Sequence, residues 1–377
     1  MNYELTEEQE LLRRTVRDFS ESKVAPVAEE LDREERFPYE LVQEMAELGL
    51  MGIPIPEEYG GAGADTVSYA IAIEELTRID SSVAITAAAH TSLGTMPIYL
   101  YGSEEQKQEW VPQLASGAKL AAFGLTEASA GSDAGATRTR AELRDGQWIV
   151  NGSKMFITNA GTDITACVTI TALTGDDEIS NIIVPNGTPG YDISAPMKKL
   201  GWHASDTREL SFKDCAVPEG NLLGPRGKGF HQFMEILDGG RISVASMGVG
   251  LAQGAYDLAF AYAQERQQFG RPIAKFQAVQ FALADMATEI EAGRQLVYRA
   301  AWLKDQGKEF ALAAAQAKLY TGLLSNRAVN AALQIHGGYG FMEEYAISRL
   351  YRDQKILEIG EGTNEVQRMV IAKLLGV

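Results

Sequence analysis

The chain has 377 residues, 45% hydrophobic and 23% charged, the makeup of a globular protein with room for two or three domains. Its formal charge of −17 lacks the basic footprint that nucleic acid demands and disfavours anionic membranes. Small molecules are the expected partners. Two cysteines, Cys167 and Cys215, and four scattered histidines, His90, His203, His231 and His336, give neither a disulfide scaffold nor a metal-ligand spacing, so no metal site is expected. The opening Met1-Asn2-Tyr3-Glu4-Leu5-Thr6-Glu7-Glu8 carries no apolar or arginine-rich targeting pattern, and no run reaches the length of a membrane span. A cytoplasmic protein is expected.

The first third reads as helices. Thr6 and Gln9 form a capping-box signature ahead of Leu12, Val16 and Phe19 at helical spacing. Pro38 opens a second helix with Leu41, Met45 and Leu48 on one face and Gly49 as its stop. Ala84–Leu100 is nearly uncharged, which predicts a buried helix. Ser103 with Gln106 opens another, through Val111 and Leu114 to about Gly117.

After Lys119 the texture turns to strands. Asp145-Gly146 between Arg140–Arg144 and Gln147–Asn151 is a hairpin cue. Cys167–Leu173, Ile179–Val184 and Glu209–Phe212 follow as strands. With no helix-length segments between them, an antiparallel sheet or barrel is expected. Beyond the linker-like Gly224-Pro225-Arg226-Gly227-Lys228-Gly229, long helices return over Phe230–Ala263, Phe276–Leu303, Ala311–Leu333 and Tyr345 to the end. Gly248, Gly250 and Gly254 lie inside the first of these, where small residues serve close helix packing rather than a dinucleotide fingerprint. The plan is therefore α+β and multidomain: an N-terminal α-helical domain over 1–118, a middle antiparallel β-barrel-like domain over 119–226, and a C-terminal four-helix bundle over 227–377.

Three segments could carry chemistry. Glu361 stands in Ile359-Gly360-Glu361-Gly362-Thr363-Asn364, a carboxylate between two glycines. The pattern suits either a surface turn or a general base with bare backbone beside it. Phe123-Gly124-Leu125-Thr126-Glu127-Ala128-Ser129-Ala130-Gly131-Ser132-Asp133 is either a plain turn or a loop gripping a pyrophosphate, a flavin edge or a thioester. Lys154-Met155-Phe156-Ile157-Thr158-Asn159 offers an aromatic that could stack on a planar ring, or a cross-strand core residue.

Taken in order with Arg266-Gln267-Gln268-Phe269-Gly270 and Gln334-Ile335-His336-Gly337-Gly338, these motifs resemble the acyl-CoA dehydrogenase family over essentially the whole chain. The likeness is to its short-chain, butyryl-CoA type. The resemblance implies FAD as cofactor, an acyl-CoA substrate, a homotetramer, and an electron-transferring flavoprotein as acceptor. By motif, Phe123, Leu125, Thr126, Gly131 and Ser132 would contact the flavin, with Ser132 also near the acyl-CoA, while Phe156 and Thr158 would pack on and bond the isoalloxazine. Arg266, Gln277, Gln334, Gly337 and Gly338 would hold the adenosine-diphosphate part, partly across a subunit interface, with Thr363 and Glu365 completing that site. Some branches of the family carry the base immediately before the arginine of the LDxxR stretch. Here that stretch is Leu237-Asp238-Gly239-Gly240-Arg241, so the resemblance makes Glu361 the base, with Asp238, Arg241 and Gly362 facing the substrate. Gly360 replaces a tyrosine common in the family, which changes the wall of the acyl pocket. The implied reaction is α,β-dehydrogenation of a saturated acyl-CoA, short- to medium-chain or short branched, to the trans-2-enoyl-CoA. The alternative is a flavin oxidase or monooxygenase on the same scaffold.

Overall fold

A computed structural model describes residues 4–377, so the first three residues of the acidic opening lie outside the described residues. Helices α1 (Glu7–Phe19), α2 (Ala28–Glu34), α3 (Tyr39–Glu47), α4 (Thr66–Ile79), α5 (Ser81–Ala89), α6 (Met96–Tyr101) and α7 (Glu104–Ala115) come first. Both capping boxes form, Thr6 Oγ1 accepting the Gln9 N–H at 3.2 Å and Ser103 Oγ the Gln106 N–H at 3.3 Å. The stretch Ala84–Leu100 is largely buried, as expected, up to the exposed Leu100, but is not one helix. A π-helical turn over His90–Thr95 separates α5 from α6. The reason lies in His90, whose ring is spent on two backbone partners: Nε2 meets the Leu114 carbonyl at 2.9 Å and Nδ1 accepts the Ala121 N–H at 3.1 Å. Burial pushes its pKa down to about 4, so the ring is neutral and ties the following strand to the helices. Helix α4 escaped the sequence pattern because nearly every one of its residues is buried, leaving no polar stripe to betray a period.

The middle strands are β1 (Leu120–Gly124), β2 (Arg140–Arg144), β3 (Gln147–Thr158), β4 (Thr165–Gly175), β5 (Glu178–Pro185), β6 (Tyr191–Ile193), β7 (Thr207–Pro218) and β8 (Leu222–Leu223). They form one sheet in the order β6-β7-β3-β2-β4-β5-β8, with β1 beside β4. The pairing is antiparallel except that β1 runs parallel to β4, as does β2 at the single pair Arg140–Leu173. Parallel neighbours need a long crossover; here the β2–β3 hairpin supplies it in place of a helix.

Helix α8 (Gly229–Glu265), the short hairpin β9 (Gln267–Gln268) and β10 (Arg271–Pro272), and helices α9 (Gln277–Asp305), α10 (Ala311–His336), α11 (Ala346–Gln354) and α12 (Asn364–Leu375) complete the chain. The last expected helix, from Tyr345 onward, is thus two, broken by a 3₁₀ turn at Lys355–Glu358 and a bend at Ile359–Gly362. The N-terminal and C-terminal helices share one hydrophobic core. Gly250 and Gly254 permit this, since a Cβ at either would run into the backbone of α4 at the Glu74 or Arg78 carbonyl. Among the described residues, no helix is long and apolar enough to cross a membrane.

Candidate active site

The break between α11 and α12 is where Glu361 sits. The Ile359 N–H closes the 3₁₀ turn on the Ile356 carbonyl at 2.9 Å, the Gly360 N–H reaches the same carbonyl at 2.7 Å, and Thr363 Oγ1 caps α12 by accepting the Val366 N–H at 3.2 Å. Between them Glu361 is left-handed, at φ +50°, followed by Gly362 at φ +93°. A non-glycine residue tolerates that conformation only when its surroundings impose it. Three bonds do so: the Gly362 carbonyl accepts from Lys318 Nζ at 2.8 Å and Gln367 Nε2 at 3.0 Å, and the Glu361 carbonyl from Gln367 Nε2 at 3.4 Å.

The carboxylate itself is tucked against α8. A methyl carbon built on Gly240 would stand 2.1 Å from Glu361 Oε2, and that oxygen is buried with no hydrogen-bond partner. Burial raises the Glu361 pKa to about 7, opposed by the Lys318 and Arg241 cations. Arg241 is 1% exposed and pairs with Asp238 one turn earlier, yet its Nε has no partner. Burial pushes the Asp238 carboxyl up, with Arg241 opposing.

Across from α8 lies the sheet. Phe123 at the end of β1 stacks on Phe233 of α8, ring centroids 5.6 Å apart, so its side chain is committed to joining sheet and bundle. The loop after β1 is anchored by Glu127. Its carboxylate accepts from Lys154 Nζ at 2.8 Å, the Arg138 N–H at 2.7 Å, the Thr139 N–H at 3.0 Å and the Thr137 hydroxyl. Burial works against the charge, but the bonds from Lys154, Thr137 and Thr139 hold the Glu127 pKa down at about 2. The Met155 N–H donates to the Thr126 carbonyl at 2.8 Å, which fixes Leu125–Ser132 against β3. Within β3 the register slips between Lys154 and Ile157, and the bulge turns Phe156 outward, 60% exposed at φ +63°. Thr158 remains paired with Thr207. Gly131 and Ser132 are exposed, and a Cβ at Gly131 would meet no atom within 4 Å.

The second group of expected residues lies elsewhere. Arg266, Gly337 and Gly338 line a hollow of about 520 Å³ with Tyr262, His336 and Tyr339, the Arg266 guanidinium lying 5.2 Å from the Tyr339 ring centroid. Gln277, the first residue of α9, and Gln334, in the last turn of α10, are exposed and outside that lining. Helical rise puts His336 roughly 27 Å along α10 from Lys318.

Models of the acyl-CoA dehydrogenase N-terminal, middle and C-terminal domains match residues 6–118, 122–215 and 227–376. The chain is 52% identical to the probable acyl-CoA dehydrogenase YngJ of Bacillus subtilis (strain 168), over 100% of both chains. It belongs to the acyl-CoA dehydrogenase family. Butyryl-CoA dehydrogenase from Megasphaera elsdenii superposes with a TM-score of 0.97 at 44% identity, covering 100% of each chain. A chain in a structure described as the electron transferring flavoprotein of Acidaminococcus fermentans superposes at 0.98 with 46% identity and the same coverage.

Acyl-CoA dehydrogenases are FAD-dependent oxidoreductases, and the chain's activity is flavin-dependent dehydrogenation of an acyl-CoA; the oxidase alternative is not favoured. The residues fit the flavin. Phe156 offers an aromatic face from a strained backbone, Gly131 opens onto free space, and one oxygen of the Glu361 carboxylate is buried without a partner. Sequence reasoning overlooked Lys318, Gln367 and the Glu127–Lys154 pair as parts of this site. The one signal for Lys318 is a lone cation inside the alanine-rich Ala311–Leu324. Of the remaining expected residues, Thr363 spends its hydroxyl on the cap, and Glu365 is exposed and pairs with Arg368 at 3.3 Å.

Proposed function

We propose that the chain oxidises a short saturated acyl-CoA to its trans-2-enoyl thioester, with Glu361 as the base. The observation that carries this is the buried, unpartnered Glu361 oxygen over Gly240. A carboxylate with one oxygen withdrawn from water and from donors, its pKa raised to about 7, matches the task of taking a weakly acidic α-proton near neutral pH. Glu361 takes that proton on Oε2. Its own N–H makes no hydrogen bond among the described residues, leaving it free to stabilise the thioester oxygen as negative charge develops there. Arg241 and Asp238 on α8, Ser132 on the sheet side and the Gly362 backbone bind and orient the thioester. Bound FAD supplies the acceptor for the β-hydrogen, which leaves as hydride. Phe123, through its backbone, with Leu125, Thr126, Gly131, Ser132, Phe156 and Thr158, would hold its ring system between sheet and bundle.

Arg266, Gln277, Gln334, Gly337 and Gly338 take the far end of the cofactor, and the roughly 27 Å offset along α10 supports their serving a neighbouring subunit's FAD rather than their own. Thr363 and Glu365 complete that end. A homotetramer follows in this reading, supported by exposed Phe269 and Phe341, 91% and 80% accessible and next in sequence to Gln268 and Met342 of the hollow's lining. Domain limits at 118/119 and 226/227 are supported by β1 starting at Leu120 and α8 at Gly229. Electrons pass on to an electron-transferring flavoprotein, a reading supported by the description of the Acidaminococcus structure. Two buried, unpaired cysteines suit a cytoplasmic setting. The short chain length rests on likeness to butyryl-CoA dehydrogenase.

The test is Glu361→Gln assayed with butyryl-CoA. The expected result is a loss of about 10²–10⁴ in kcat with full flavin content. Near-normal turnover would remove Glu361 as the base.

A further inference from the structure

Lys318 is an unexplained expense. It is fully buried in α10, and an interior ammonium is costly unless well paired. It forms no ion pair within 4 Å among the described residues, and of its three N–H donors one has a partner, the Gly362 carbonyl at 2.8 Å. Gln367 already serves that same carbonyl at 3.0 Å. A neutral donor thus suffices to hold the turn, and the charge on Lys318 is surplus to local structure. What the charge faces is the base. Around it stand Glu361 and Glu358 from the segment between α11 and α12, Glu365 from α12, and Arg241 from α8.

We propose that Lys318 is a positioning residue of this reaction, holding the Glu361 turn through the Gly362 carbonyl and supplying the buried cation that keeps the base available as an anion. The inference rests on Glu361 being the base. Two further facts support it. Among the charges acting on the Glu361 carboxyl, Lys318 opposes burial more strongly than Arg241 does. Arg241 also shares its charge with Asp238, whereas Lys318 has no carboxylate partner in contact. Burial lowers the Lys318 pKa to about 8, with Glu361 holding it up, so the ammonium persists at neutral pH. In physical terms, the site desolvates the carboxylate enough to make it a strong base. It then places one unneutralised cation behind the turn, so that burial does not leave the base protonated.

The experiment compares Lys318→Gln, which keeps a donor and loses the charge, with Lys318→Arg, which keeps the charge. kcat/KM for butyryl-CoA is followed against pH in the flavin-loaded proteins. The carboxyl stretch of Glu361 is titrated in the flavin-free proteins by infrared difference against Glu361→Gln. The acid limb and the infrared midpoint are expected to rise together by about one pH unit or more in Lys318→Gln. Activity near neutrality then falls about tenfold, and the alkaline plateau survives. Lys318→Arg is expected to restore both toward wild type. A folded Lys318→Gln with unmoved limb and midpoint overturns the inference. So does a Lys318→Arg whose midpoint is displaced, even if the Gln variant does not fold. A dead Glu361→Gln beside an unmoved Lys318→Gln overturns this inference alone, whereas an active Glu361→Gln overturns the base assignment and this inference with it.

Discussion

Gly240→Ala adds one methyl group at the point where the base rests on α8. That carbon would stand 2.1 Å from Glu361 Oε2, about 1.3 Å short of an ordinary contact beginning near 3.4 Å. The atom in its way is the tip of a flexible side chain, so the carboxylate retreats and the fold survives. Gly240 also lies well inside α8, where alanine is favoured over glycine by about 0.5–1 kcal/mol. The two effects have opposite signs, which makes the variant diagnostic. Thermal melting should hold or rise, while kcat falls about 10²-fold, the usual cost of misplacing a catalytic group by about 1 Å. The assay is turnover of butyryl-CoA with an artificial electron acceptor, alongside flavin absorbance and a melting curve. A stable, flavin-loaded Gly240→Ala with wild-type kcat would refute the fitted pocket. The same geometry explains why a base at position 361 goes with a glycine before Arg241: any side chain there competes for the space that the carboxylate fills.

The sheet side of the site yields two more predictions. Glu127→Gln breaks a buried pair whose partners are 0% and 6% exposed and leaves Lys154 with no anion. About 3–5 kcal/mol of stability should be lost, read as a lower melting temperature, together with flavin released from the loosened 125–132 loop. In the wild type the Glu127 carboxyl sits at about 2, below its ordinary value of 4.5. Its contribution is therefore complete above about pH 4.5 and lost as pH falls toward 2, and the Gln variant should show a shallower acid decline in melting temperature. Phe156→Gly removes an exposed ring and relieves a left-handed backbone that costs of order 1 kcal/mol. The flavin-free variant should melt no lower than wild type while binding FAD at least tenfold more weakly by absorbance titration; unchanged FAD affinity would remove Phe156 from the flavin site.

How much of this was legible depends on how far apart in sequence the interacting groups lie. Both capping boxes involve partners three residues apart and could be read directly, as could the Asp145-Gly146 hairpin, paired Arg144 to Gln147. The break at Ile359–Gly362 was half legible. Glycines flanking a carboxylate signalled a bend, but helical patterning on both sides argued for one continuous element, and the contacts that impose the bend come from Lys318 and Gln367. Nothing local predicts the first, since it arrives from 44 residues away. Helix α4 and the π turn at His90–Thr95 were hidden for the same reason. Complete burial erases the amphipathic stripe, and the turn exists because His90 must reach Leu114 and Ala121. Gly240 shows the limit most clearly. Its identity ruled out a base before Arg241, but its purpose is to be empty, and emptiness has meaning only beside a carboxylate more than a hundred positions later in the chain.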